Sequence, residues 1–137
     1  MAGQWDAFLA GAPVAVSHFA ITLALLTLGV AAYVAITPHR ELQLIRAGNS
    51  AAALSLAGVV VSLALPLSVS MSESLGLLEI VLWGLAALVG QIFVFWVLDK
   101  LLRNLPKRIE QGDMAAAIAL CGAKLAIGIV GAAALTN

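Results

Sequence analysis

A chain of 137 residues that is 63% hydrophobic and 10% charged, with a mean hydropathy of +1.08, is too apolar for a water-soluble domain. Its seven basic and seven acidic side chains cancel, which excludes a nucleic-acid footprint and a field aimed at acidic substrates. Cys121 is the single cysteine and falls in an apolar run, so an internal disulfide and a multi-cysteine metal site are both excluded and packing is its expected role.

The N-terminal "MAGQWDAFLAGAP" has no lysine or arginine ahead of its apolar segment, so the first hydrophobic run is expected to be retained rather than cleaved as an export signal. Four runs, 14–37, 50–70, 77–98 and 114–135, approach or reach the roughly 20 residues that a helix needs to cross a bilayer. Stretches such as "ITLALLTLGVAAYVAI" lack the polar–apolar alternation of a membrane β-barrel. The expected fold is an all-α integral membrane protein of four transmembrane helices.

The connections differ in charge. "PHRELQLIRAGN" carries Arg40 and Arg46, and "DKLLRNLPKRIEQGD" carries Lys100, Arg103, Lys107 and Arg108, whereas the first tail and "SMSESLG" carry no basic residue. The positive-inside rule makes both basic loops cytoplasmic and puts both termini outside. Trp83 and Trp96 then fall near the two ends of the third span, at interfacial depths. Leu42, Leu44, Ile45, Leu101, Leu102, Leu105 and Ile109 intersperse apolar residues among these charges, which predicts amphipathic turns lying in the cytoplasmic interface. The more basic second loop is a candidate for anionic headgroups or a cytoplasmic partner.

Residues 45–58 and 109–122 are identical at seven of fourteen positions, an offset of 64, which predicts two tandem two-span repeats, 1–72 and 73–137, inserted in the same orientation as one bundle. In "GNSAAA" and "GDMAAA", Asn49 and Asp113 are placed to cap the helices that follow, and Gly48 and Gly112 allow the sharp turn before each cap. The alanines, with Gly58, Gly122, Gly128 and Gly131, are expected to let helices approach closely.

The duplicated strings "LIRAGNSAAALSLAG" and "RIEQGDMAAAIALCG", together with the tandem two-span units, resemble the YjfL-like family of inner-membrane proteins, catalogued as domain of unknown function 350. The resemblance covers essentially the whole chain. It implies a small multi-pass protein of the bacterial inner membrane, of the kind sometimes encoded near envelope-stress components, and it brings no catalytic residues.

Lys124 stands near the centre of the fourth run, where the first repeat has Val60. A lysine at that depth costs roughly 2.5 to 3.5 kcal/mol to insert, so it is expected to face protein or water and to have a partner. Gln91 is the expected partner, because it sits within about 5 Å of the same depth on the third span at 1.5 Å rise per residue. Ser55 and Ser62 are expected to bond their own helix, and His18 to need no special partner near the outer interface.

An enzyme is not expected. His18 and His39 fall on opposite sides of the membrane, so no metal site forms, and neither a phosphate loop nor another cofactor signature is present. Two functions follow as expectations: a non-enzymatic component of the inner membrane, linked to envelope stress or membrane organisation through a cytoplasmic or membrane protein partner, or a small channel or transporter lined by Lys124 and Gln91. Either is expected to work as a homo-oligomer in the lipid bilayer.

Overall fold

The computed structural model describes residues 1–37, 40–73 and 76–136, and the regular structure among them is helical. In chain order the helices are α1 (Ala2–Ile36), α2 (Glu41–Arg46), α3 (Ser50–Ser72), α4 (Leu77–Leu102), α5 (Leu105–Glu110) and α6 (Met114–Ala134). Four of them, α1, α3, α4 and α6, are long and apolar enough to cross a membrane. His39 and part of the "SMSESLG" connection, Ser74 and Leu75, lie outside the described residues.

The turns into α3 and α6 form for the same local reasons. Gly48 and Gly112 take φ of +87° and +79°, a region that costs a side chain with a Cβ but not glycine. Their amides bond the carbonyls of Ile45 and Ile109 at 2.9 and 3.0 Å. Asn49 Oδ1 then accepts from Ala52 N at 3.1 Å, and Asp113 Oδ1 from Ala116 N at 3.2 Å, satisfying amides that open a helix without a partner.

The joint between α4 and α5 is held differently. Arg103 and Asn104 both have φ of +54°, unusual for residues other than glycine. Asp99 Oδ1 accepts from Leu105 N at 3.0 Å, and Arg108 donates from Nη1 to Leu102 O at 2.9 Å. These bonds hold the strained backbone by satisfying one end of each helix.

α3 occupies the centre, packed on α6, α4, α1 and α2. Its nearest approach is to α6, where small residues permit it. A Cβ on Gly58 would lie 3.0 Å from Cys121 Sγ, and one on Gly128 would lie 2.7 Å from the Cα, Cβ and O of Ser62. Pro66 lies inside α3 and has no N–H for the carbonyl four residues back, that of Ser62, so Gly128 meets α3 where its ladder is interrupted. Gly122 and Gly131, also expected to pack, meet nothing within 4 Å of an added Cβ: they face away from the contact that Gly58 and Gly128 make.

Two further expectations are corrected. α1 begins at Ala2, twelve residues before the expected span, because the alanine-rich segment ahead of Pro13 favours helix. At 1.5 Å per residue its 35 residues run about 52 Å, well beyond a hydrocarbon core of roughly 30 Å. The cytoplasmic connections are short helices, not merely interfacial turns. Leu105 and Ile109 of α5 are fully buried and join Tyr33, Val59, Leu63, Phe95 and Leu120 in the core, because the bundle leaves space beneath α3 and α6 that these side chains fill.

Candidate intramembrane site

Lys124 is fully buried on α6. Its ammonium Nζ donates to Ser55 Oγ at 3.2 Å and lies 3.4 Å from Ser55 O, across the α3–α6 contact. It also stands 4.4 Å from the centroid of the Tyr33 ring, a cation–π distance. Tyr33 on α1 is fixed in turn by the edge of Phe95 on α4, with centroids 6.4 Å apart and planes at 85°. Glu41, the first residue of α2, is fully buried and acts electrostatically on both Tyr33 and Lys124. Five of the six helices therefore meet around one amine.

Gln91 is almost fully buried on α4, as its depth suggests, but it does not hold the ammonium. Its Nε2 donates to the backbone carbonyl of Lys124 at 3.3 Å. The amine points instead toward α3 and α1, because the small residues of α3 open a pocket for its stem on that side. Ser55, expected to bond its own helix, is its partner; Ser62 does bond its own helix, donating to Val59 O at 3.1 Å.

At the end of the bundle where α2 and α5 lie, Asn49 has a second role. Its Nδ2 donates to Ile109 O at 2.8 Å and Glu110 O at 3.2 Å, joining the turn before α3 to the end of α5. Asp113, which has no N–H to offer, pairs with Arg108 Nε at 2.8 Å. This Arg108 hydrogen bond, then the bond from Ala116 N, holds the Asp113 carboxyl below the usual carboxylate range. Of the basic residues in the second loop, Lys100, Arg103 and Lys107 are exposed, while Arg108 is committed to Leu102 and Asp113. Among the described residues no group of three His, Cys, Asp or Glu side chains converges as metal ligands would.

Residues 7–135 match the family model described as Domain of Unknown Function (DUF350). The chain belongs to this family. It is 33% identical over 120 residues to the UPF0719 inner membrane protein YjfL of Escherichia coli strain K12, covering 88% of this chain and 91% of that one, and the same figures hold for YjfL of Escherichia coli O157:H7. No solved structure matches. The DUF350 proteins are thus an uncharacterised inner-membrane family, and this member has four candidate spans.

For the DUF350 chain, the partners of Lys124 that sequence reasoning passed over are Tyr33, Glu41 and Ser55. A signal for them existed. At the offset of 64 that sets Lys124 against Val60, Tyr33 is matched by Val97, Glu41 by Leu105 and Ser55 by Ala119. Each is a polar residue whose counterpart is apolar, and all three surround the one lysine.

Proposed function

We propose that this DUF350 protein is a non-enzymatic unit of the inner membrane that carries protons through the Lys124 site. The observation behind the reading is a fully buried ammonium bonded to a hydroxyl, beside an aromatic ring and within the field of a buried carboxylate. Ionisable groups are expensive inside a membrane and mark ion and proton routes when they occur there. A hydroxyl partner suits proton exchange, since Ser55 Oγ accepts from the protonated amine and can donate to the neutral one. Gln91 fixes the backbone of Lys124 rather than lining the route.

The two halves share the order long helix, six-residue helix, long helix, with the short helices starting at Glu41 and Leu105 and the following helices at Ser50 and Met114, all 64 apart. That order and the matching caps support a tandem duplication with both basic loops cytoplasmic and both termini outside. Assembly into a homo-oligomer is supported by Gly122, which faces open space on α6 although its counterpart Gly58 is packed hard against Cys121. A second copy would cover it. The same assembly acting in envelope stress or membrane organisation is favoured by the exposed Trp5, Phe8 and Leu9, with Trp5 and Phe8 stacked at 5.6 Å, which offer a protein partner an aromatic surface at the far end of α1.

The test is proton flux into proteoliposomes for the parent and Lys124→Met, which keeps the apolar stem. Parent flux that falls at least tenfold in the variant supports the reading; absence of flux in the parent, or equal flux in both, overturns it.

A further inference from the structure

A second feature, independent of how Lys124 is used, lies between α3, α4 and α6. Ser62, Trp83, Gly90, Gln91, Gly128 and Gly131 line a cavity of about 160 Å³. Gln91 is 1% exposed, and its Oε1 has no hydrogen-bond partner among the described residues. Its orientation is chemically determined, because Nε2 must be the atom that faces the Lys124 carbonyl and Oε1 is thereby the free one. The second acceptor on this wall is the Ser62 carbonyl, deprived of its intrahelical donor by Pro66. The donors are already used: Gln91 Nε2 on Lys124, and the Ser62 hydroxyl on Val59 O. The deep wall of the cavity therefore offers acceptors, and the remainder is glycine, alanine and Ile127 with Trp83.

A buried acceptor left unmade costs about 1 to 3 kcal/mol, so a ligand that supplies one O–H gains an advantage that a hydrocarbon cannot. The volume is close to that of an engineered cavity of about 150 Å³ known to accept benzene. We propose that this cavity binds a small neutral amphiphile of the phenol or alcohol class, taken from the bilayer, with its hydroxyl donating to Gln91 Oε1 and its apolar body against Gly90, Gly128 and Gly131. An acyl chain would fill the space without using the acceptor, and water would use the acceptor without filling the apolar floor.

The test is photolabelling of the full chain in micelles by a diazirine-bearing phenol, mapped by peptide mass spectrometry, with phenol and toluene as competitors after correction for partition into the micelle. The expected result is saturable labelling on α4 and α6, with phenol competing at roughly tenfold lower concentration than toluene, the worth of one buried hydrogen bond. Gly131→Leu, whose side chain enters open space in the cavity, abolishes the labelling. Gln91→Leu erases the difference between the competitors. Equal competition by toluene and phenol in the parent assigns the space to lipid chains and overturns the proposal, as does labelling that does not saturate, which leaves the cavity to water. Should Gln91→Leu fail to fold, the competition in the parent and the Gly131→Leu variant decide the matter alone.

Discussion

α3 and α6 start from nearly the same string and end with different duties. Each opens on a positive-φ glycine and an Asx cap, and their cap bonds differ by only 0.1 Å. Beyond that turn they diverge: Gly58 is packed on Cys121 while Gly122 is open, and half-buried Val60 answers to fully buried Lys124. The lesson is that local hydrogen bonding follows the shared residues, whereas position in the bundle decides what the remaining residues do. α3 is surrounded and α6 is at the side, so one helix supplies a site and the other inserts into it.

The largest effect expected from breaking this comparison comes from giving both helices the same bulk. Gly58→Leu drives a side chain into Cys121, whose backbone Cα lies 3.1 Å from the first added carbon, and should cost about 1 to 3 kcal/mol or more of unfolding free energy in detergent. Gly122→Leu should change the unfolding of the isolated chain by less than about 0.5 kcal/mol, the range of unconstrained surface sites, and weaken self-association instead. Equal losses in thermal unfolding would erase the distinction between the two helices.

Next in size is the cap. Asn49→Ala removes the cap and the bonds to Ile109 and Glu110 together, and should cost about 1 to 2 kcal/mol. Asn49→Asp keeps the cap but sets a carboxylate against two carbonyls, so it should still destabilise, by about 1 kcal/mol. The reciprocal Asp113→Asn retains the bond to Ala116 and gives up only the half-exposed Arg108 pair, so it should be the mildest of the three by denaturant titration.

The smallest effect is in pH. Because Asp113 is more acidic folded than unfolded, its contribution to stability is complete above the ordinary carboxylate range and is lost as pH falls through the lower folded value. Unfolding measured down to pH 2 should show an acid decline that is reduced in Arg108→Met, which lacks the largest cause of the shift. An unchanged decline in that variant would remove the pair from the account.

What was legible in the sequence was what neighbours in the chain decide. The four apolar runs, the glycine turns and the Asx caps each depend on residues within one or two turns, and Lys124 stands out because a charge in such a run has no local excuse. Its partners were harder to see. Ser55 looks like any serine that bonds its own helix, Tyr33 looks like an interfacial aromatic, and Glu41 looks like one charge in a polar loop; only packing brings them within reach of one amine. The core role of Leu105 and Ile109 was hidden likewise, since an amphipathic six-residue helix can lie on a membrane or under a bundle with the same pattern. Tandem comparison at the offset of 64 recovers the site because it removes what the two halves share.

The central claim is that one half supplies the setting and the other the amine, and that the two act as a unit. A double-mutant cycle on Ser55→Ala and Lys124→Met, read as proton flux in proteoliposomes, tests it most directly. The account predicts a slower Ser55→Ala variant and a double variant no worse than Lys124→Met alone. A double variant that loses the product of the two single losses, or a parent that conducts no protons, would contradict it.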